Sequence, residues 1–313
     1  MKQGIIVLGM PRSGTSLVAD LVYRWGAYAG SKQALLKADE WNPQGYWEYI
    51  PLKRLNDELL AAVRASERVP PATDEIVAEK ASDSHLREKA RRLLARMQAG
   101  ADVWFWKDPR LPILLPFWNT IWDEMIYVIP IRNPIDIAES QKKMSGQQMP
   151  WDEFPFSAAF LYWQCFMLAI LRNTEGSRRK IFIEYEQLIA DPVEECERLC
   201  AFLENQCGTQ HDHAGKIQTM AAAVNPNLGR NRSPATFFEA PMAAAEQKAL
   251  YSFLRRKVTD PAAPFKAADF PIFPGWREYL QIIDLLFQVL VLGGVSTSAT
   301  NWHDLMIARG ESG

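Results

Sequence analysis

An α/β fold is predicted, three layers with a central parallel sheet between helices, and three observations predict it. First, four apolar runs at 4–9, 102–106, 124–131 and 180–185 are continuous rather than alternating, as strands buried on both faces are. Second, turn residues and then a helical spacing of apolar side chains follow each run. That repeated βα unit builds a parallel sheet with right-handed crossovers. Third, the first run, "GIIVLG", passes into the loop "GMPRSGTS" and then into a helical pattern. Strand, glycine-containing loop and helix in that order are what a phosphate-binding P-loop requires, so the predicted fold is P-loop-like.

The elements follow in order. After the loop, Leu17, Leu21 and Trp25 fall at helical spacing. "DVWFW" (102–106) leads through "KDPRLP" to "ILLPFWNTIW", and "EMIYVIPI" (124–131) leads through "RNP" to "IDIAESQKKM". "KIFIEY" (180–185) leads through "EQLIADP" to "VEECERLCAFLE", with Asp191 as N-cap and Pro192 in the first turn. The basic run "SRRK" (177–180) is placed to cap the negative end of a preceding helix. Residues 64–84, 144–156 and 257–276 read as irregular, the second as a lid and the third as a proline-rich surface wrap. The expected organisation is one domain over 1–313, with 257–313 forming the wrap and a C-terminal helix packed on it.

Bulk properties narrow the function. The net charge of −2 over 313 residues gives no support for nucleic-acid or anionic-membrane binding. The late run "YLQIIDLLFQVLVLGGV" is broken by Gln281, Asp284 and Gln288 and reads as a buried or interface helix, not a membrane span. No signal peptide is expected ahead of the first strand, and Cys165, Cys196, Cys200 and Cys207 form neither a disulfide framework nor a paired zinc motif. A reduced, cytoplasmic enzyme is the expectation.

Four segments carry chemistry. In "GMPRSGTS", backbone amides and the positive end of a helix make an anion site. Gly9 and Gly14 allow the tight backbone, and Ser13, Thr15 and Ser16 add hydroxyls. Thr15 stands where a nucleotide-triphosphate loop has lysine, and Arg12 brings a forked cation inside the loop. In "IRNPIDIAES", Arg132 ends a strand and Ser140 lies eight residues on, at the sheet edge where α/β proteins bind ligands. "KDPRLP" brings Lys107 and Arg110, either to stabilise a transferring group or as a local salt-bridge cluster. "DEWNPQGYWE" (39–48) supplies Asp39, Glu40 and Glu48 among aromatic rings, where lost solvation would raise a carboxyl toward the range of a general base.

Together with "VNPNLGRNR", these segments resemble the sulfotransferase family that uses 3′-phosphoadenosine-5′-phosphosulfate (PAPS), and most of all its soluble bacterial members, including those acting on capsular and other polysaccharides. The matching segments run from residue 4 to about 232. The resemblance implies a 5′-phosphosulfate loop over Pro11, Arg12, Ser13, Gly14, Thr15 and Ser16. It implies a 3′-phosphate site at Arg132 and Ser140, a tyrosine near the adenine at Tyr185, and a basic loop carrying Arg230 and Arg232. Lys107 takes the place of the lysine beside the transferring group. The family's cytosolic animal members carry a loop lysine and a histidine base, both missing at the matching positions. Other branches of the family, including the protein-tyrosine sulfotransferases, pair an arginine-bearing loop with a glutamate base, so the resemblance makes Glu48 the first candidate for the base, followed by Asp39 and Glu40.

The implied reaction moves a sulfuryl group to an acceptor hydroxyl of a small molecule or polysaccharide, with no metal. A sulfuryl group carries less negative charge than a terminal phosphoryl group and needs less neutralisation than kinases supply with Mg²⁺ and a loop lysine. A P-loop kinase and a non-catalytic nucleotide-binding protein on the same fold are the rival readings. Trp41, Trp47 and Trp151 are candidate sugar platforms, while Trp118, Trp122 and Trp163 are expected in the core. His211 and His213 resemble a metal pair but have no third ligand near them in the sequence.

Overall fold

The computed structural model describes residues 2–39, 42, 45–122, 124–146, 156–209, 213–225 and 236–291. Four strands, β1 (Gln3–Val7), β2 (Val103–Lys107), β3 (Ile126–Ile131) and β4 (Lys180–Glu184), pair in the order β2-β1-β3-β4, all parallel. They match the four apolar runs, with ends that differ by no more than two residues.

Residue alternation along the strands divides the core. Ile5 and Val7 of β1, Phe105 of β2 and Val128 of β3 face one layer, made by α1 (Thr15–Trp25), α9 (Pro192–Cys207) and α10 (His213–Ala221). Ile6, Trp104, Trp106 and Ile129 face the other layer. There the apolar cover comes from α2 (Ile50–Ala62), α4 (Ser84–Met97), α5 (Leu111–Trp118), α7 (Phe156–Asn173) and α11 (Ala245–Thr259). Side chains of a strand point alternately to opposite faces, so each strand supplies both cores, and this is why its sequence is apolar throughout.

The crossovers also contain α3 (Asp74–Glu79) and α6 (Pro134–Gly146), while the short α8 (Tyr185–Ala190) and α12 (Trp276–Val291) follow the last strand. The region 64–84 was expected to be irregular, but it holds α3. Thr73 accepts a hydrogen bond from the Ile76 amide, and Val77 buries the one apolar side of a two-turn helix. Such a segment is too short for a periodicity to show. Asp191 does cap α9, accepting from the Glu194 amide at 3.1 Å, and Lys180 donates to the Thr174 carbonyl at 2.6 Å beyond the end of α7. Most of the expected lid lies outside the described residues.

The expected wrap is only partly irregular, since α11 runs to Thr259 and α12 begins at Trp276. Between them Phe265 and Phe270 pack on Phe253, and Gln164 of α7 donates to the Pro271 carbonyl at 3.0 Å. Leu280 of α12 is buried against Ala158, Leu161 and Cys165 of α7. Asp284, which interrupts the apolar run, accepts from Arg68 at 2.8 Å. Among the described residues no helix is long and apolar enough to cross a membrane.

Asn56, fully buried on α2, joins two elements. Its Nδ2 donates to Asp108 Oδ2 at 2.9 Å, and its Oδ1 accepts from Trp118 Nε1 at 2.9 Å. Asn56→Ala leaves the Trp118 indole N–H without its partner, at a cost of about 1–3 kcal/mol for an unsatisfied buried group, and takes one of two donors from Asp108 Oδ2. The expected result is a loss of about 3 kcal/mol in urea unfolding, read as a lower midpoint at an unchanged m value.

Candidate active site

The C-terminal ends of all four strands open on one edge, and each predicted segment leaves from it. The β1 end enters the loop Gly9–Ser16. Gly9 has no room for a side chain, since a Cβ there would lie 2.6 Å from Ser13 Oγ and from Thr15 Cγ2. Gly14 needs a left-handed backbone, with φ of 93°, and its missing Cβ would lie 2.5 Å from the Tyr185 ring. Arg12 also adopts positive φ, 72°, which is strained for a residue with a side chain. Among the described residues no side chain caps the start of α1. Its first-turn amides and positive dipole end are thus left to an incoming anion.

The 3′-phosphate candidates fold back onto this loop. Arg12 Nε donates to Ser140 Oγ at 2.9 Å across 128 residues, and Arg132 Nη1 donates to the Arg12 carbonyl at 2.9 Å. The Arg132 guanidinium lies 4.5 Å from the centre of the Tyr185 ring. Loop, Arg132, Ser140 and Tyr185 are therefore one assembly. Burial is the main cause lowering the Arg12 pKa, and the neighbouring Arg132 charge adds to it. An arginine stays charged under such a shift, so what the loop gains is a poorly hydrated cation awaiting an oxyanion.

The hydroxyls are not equivalent. Ser13 is buried and donates to the Met10 carbonyl at 2.8 Å, so its proton is used inside the loop. Ser16 Oγ accepts from Asn42 Nδ2 at 3.0 Å, which joins the segment 39–48 to the loop. Thr15 is buried at the start of α1.

A second cluster lies beside the first. Lys107, at the end of β2, donates to Glu48 Oε1 at 2.9 Å, and Arg110 Nη2 lies 3.6 Å from Glu48 Oε2. The pair is deeply buried, with side chains 4% and 6% exposed. The sequence put Glu48 among aromatic rings, but its carboxylate faces two cations. Trp47 turns the other way, between Tyr23 and Phe105 at 4.6 and 5.9 Å, with a left-handed backbone. It is partly buried and packs against the core on that side. Asp39 accepts from the Asn42 amide and from Tyr46 Oη, holding its own turn together. Glu40, Trp41, Trp151, Arg230 and Arg232 lie outside the described residues.

Arg110 resolves the two readings of "KDPRLP". It binds Asp108 in a two-pronged pair at 2.7 and 2.9 Å and also meets Asp57. Burial lowers the Arg110 pKa, but the charges of Asp108, Asp57 and Glu48 outweigh it and hold the guanidinium protonated. Burial likewise raises Asp108, but Arg110 outweighs it and keeps the carboxylate ionised. Arg110 is thus held mainly by Asp108 and Asp57 and reaches Glu48 only at 3.6 Å, whereas Lys107 hydrogen-bonds it.

Two carboxyl groups of this edge had no sequence signal. Glu186 accepts from the Asn133 amide at 2.8 Å, fixing the start of α6, while its other oxygen is buried without a hydrogen-bond partner. Desolvation raises its pKa. Glu67, in the loop after α2, is partly accessible, yet desolvation pushes its carboxyl up to about 7. The nearby charges of Arg110 and Glu48 act in opposite senses. An acid in a polar loop reads as solvated, but the fold brings Arg110, Asp108 and Tyr162 of α7 near it, and α12 holds the same loop. Arg277 of α12 donates to the Pro70 and Arg64 carbonyls at 3.1 and 2.6 Å.

Glu67 binds a proton in the folded chain at pH values where the unfolded chain has lost it. Its contribution is complete below the ordinary carboxyl value of 4.5 and is lost as pH rises through about 7. The stability of the wild type relative to Glu67→Gln is expected to fall across that window in thermal unfolding. A difference that does not change with pH counts against a desolvated Glu67.

Comparison with known proteins agrees with this arrangement. The family model "Sulfotransferase family" matches residues 4–207. The sulfotransferase domain from the curacin biosynthetic pathway is similar at 17% identity, covering 82% of this chain and 98% of that one, with a TM-score of 0.47. A sulfotransferase of Mycobacterium tuberculosis is similar at 15% identity, covering 82% of this chain and 76% of that one, with a TM-score of 0.44. A mouse sulfotransferase complexed with PAP is similar at 14% identity, covering 98% of this chain and 90% of that one, with a TM-score of 0.38. A search of curated proteins returns no match. With about two thirds of its length matched by the family model, the chain belongs to the sulfotransferase family and is an enzyme of that class.

Proposed function

We propose that this sulfotransferase moves a sulfuryl group from PAPS to a carbohydrate hydroxyl in the cytoplasm and releases adenosine 3′,5′-bisphosphate. The observation that carries the reading is the contact of Arg12 with Ser140 and Arg132. It joins an amide-lined loop suited to the 5′-phosphosulfate and an arginine–serine pair suited to the 3′-phosphate. The Lys107–Glu48 pair stands at the same strand edge.

In this mechanism the loop amides and Arg12 hold the 5′-phosphate and the sulfuryl oxygens. Arg132 and Ser140 take the 3′-phosphate, with Arg230 and Arg232 over it, and Tyr185 backs Arg132 near the adenine. Glu48 accepts the proton of the acceptor hydroxyl. The acceptor oxygen attacks sulfur in line, the bond from sulfur to the bridging oxygen breaks, and its electron pair stays on the departing phosphate. Lys107 pairs with Glu48 in the free enzyme and shifts toward the bridging oxygen as that charge develops. Asp39 and Glu40 stand behind Glu48 as candidate bases, and the hydrogen bonds of Asp39 inside its turn make it the weaker one. We assign the polar loop 64–70, with Glu67 and Arg68, to the acceptor side, where its polar side chains suit a polyhydroxyl substrate of the polysaccharide class.

Adenosine 3′,5′-bisphosphate is expected to raise the thermal midpoint of the chain and ATP with Mg²⁺ is not; the reverse pattern sinks the reading in favour of a kinase. With labelled PAPS and a panel of oligosaccharides, Glu48→Gln is expected to lower kcat by about 10²–10⁴ while adenosine 3′,5′-bisphosphate still binds. Arg132→Ala is expected to raise KM for PAPS with kcat largely kept. Transfer at the wild-type rate by Glu48→Gln removes Glu48 from the chemistry.

A further inference from the structure

A third cluster, sharing no residue with the two above, lies where α10 packs on α9 and α1. Cys200 and Glu204 stand one helical turn apart on α9, and His213 is the first residue of α10. Cys200 Sγ lies 3.6 Å from Glu204 Oε1 and 3.6 Å from His213 Nδ1, and Glu204 Oε2 lies 2.9 Å from His213 Nδ1. The three donor atoms all fall within 4.8 Å of one another. The sequence alone showed only a histidine pair without a third ligand. The fold supplies two ligands from the preceding helix, 9 and 13 residues before His213.

We infer that Cys200, Glu204 and His213 form a binding site for one Zn²⁺, with water as the fourth ligand. The dimensions fit. Zinc bonds of about 2.3 Å to sulfur and about 2.0–2.2 Å to nitrogen and oxygen put tetrahedral neighbours roughly 3.3–3.6 Å apart. The sulfur–nitrogen edge already has that length, and Glu204, which presents Oε1 to the sulfur and Oε2 to the imidazole, brings a single oxygen to the third corner by a small carboxylate rotation. A thiolate, an imidazole and a carboxylate together suit a borderline-soft ion, not Mg²⁺ or Ca²⁺. One thiolate and one carboxylate balance the charge of the metal. Cys200 is buried while the Glu204 and His213 side chains are 19% and 41% exposed, so the site has a solvent route and room for a water ligand. Lys216, the nearby cation, is drawn to the carbonyl and ring of Trp25.

The role of such a site is structural. It ties the start of α10 to the middle of α9, and α10 leads in the sequence to the segment carrying Arg230 and Arg232. A ligand that binds only the folded chain raises its stability by mass action.

The test uses the full chain stripped with a chelator and then titrated with Zn²⁺ against a chromophoric competitor, with Co²⁺ as the spectroscopic probe. One equivalent of Zn²⁺ per chain is expected, with a rise in thermal midpoint and, with Co²⁺, a thiolate-to-metal charge-transfer band. Cys200→Ser is expected to abolish the band. His213→Ala, at a half-exposed position that folding tolerates, is expected to weaken Zn²⁺ binding by about 100-fold or more, the change expected when one of three protein ligands is lost. His211→Ala is expected to change neither. No uptake by the wild type overturns the inference, as does uptake that persists in both Cys200→Ser and His213→Ala.

Discussion

The parallel pairing of β1 with a neighbour on each side is the constraint on which the rest depends. With β2 on one flank and β3 on the other, both running the same way, every strand ends on the same edge. Four chain segments far apart in sequence are therefore delivered to one crevice. The crossovers between them place helices on both faces, and the two cores on those faces hold the strand ends still. A side-chain hydrogen bond between Arg12 and Ser140, 128 residues apart, is possible only because β1 and β3 are neighbours. The binding loop is thus braced from the adjacent strand, not only by its own backbone.

Buried charge is used in two ways at this edge. Arg110, Asp108, Asp57 and Asn56 form a closed set in which nearly every polar atom has a partner. It locks the end of β2 against α2. Breaking one member of such a set is costly because the others stay buried. The Glu48–Lys107 pair next to it is equally buried but has fewer supports. A pair with few supports can exchange partners, whereas the Arg110 set cannot. Contact with the Arg110 set, through Arg110 Nη2 at 3.6 Å from Glu48, gives the pair a fixed position.

Much of the architecture was legible because burial on both faces leaves an unmistakable apolar run, and because Gly9 and Gly14 mark a loop with a known physical purpose. The arginine–serine spacing was legible for a similar reason: a strand end and the next two helical turns fix where both residues go. What the sequence could not tell was tertiary. Glu67 reads as a solvated loop acid until the fold brings Arg110, Asp108 and Tyr162 near it. Trp47 reads as an exposed ring until Tyr23 and Phe105 are found on it. Arg110 and Lys107 look alike three residues apart, and only the partners brought by α2 separate them. Cys200, Glu204 and His213 belong to two helices whose meeting no periodicity records.

The last helix alters what counts as the working unit of this protein. The family match ends at residue 207, which invites cutting the chain soon after α9. Yet Arg277 and Asp284 of α12 grip the loop 64–70 through two carbonyls and the Arg68 side chain. A form truncated after α9 would keep the loop Gly9–Ser16 and all four strands but lose the contacts by which α12 holds loop 64–70. Tags and fusion joints therefore belong outside α12, and recombining relatives means exchanging loop 64–70 and this helix together.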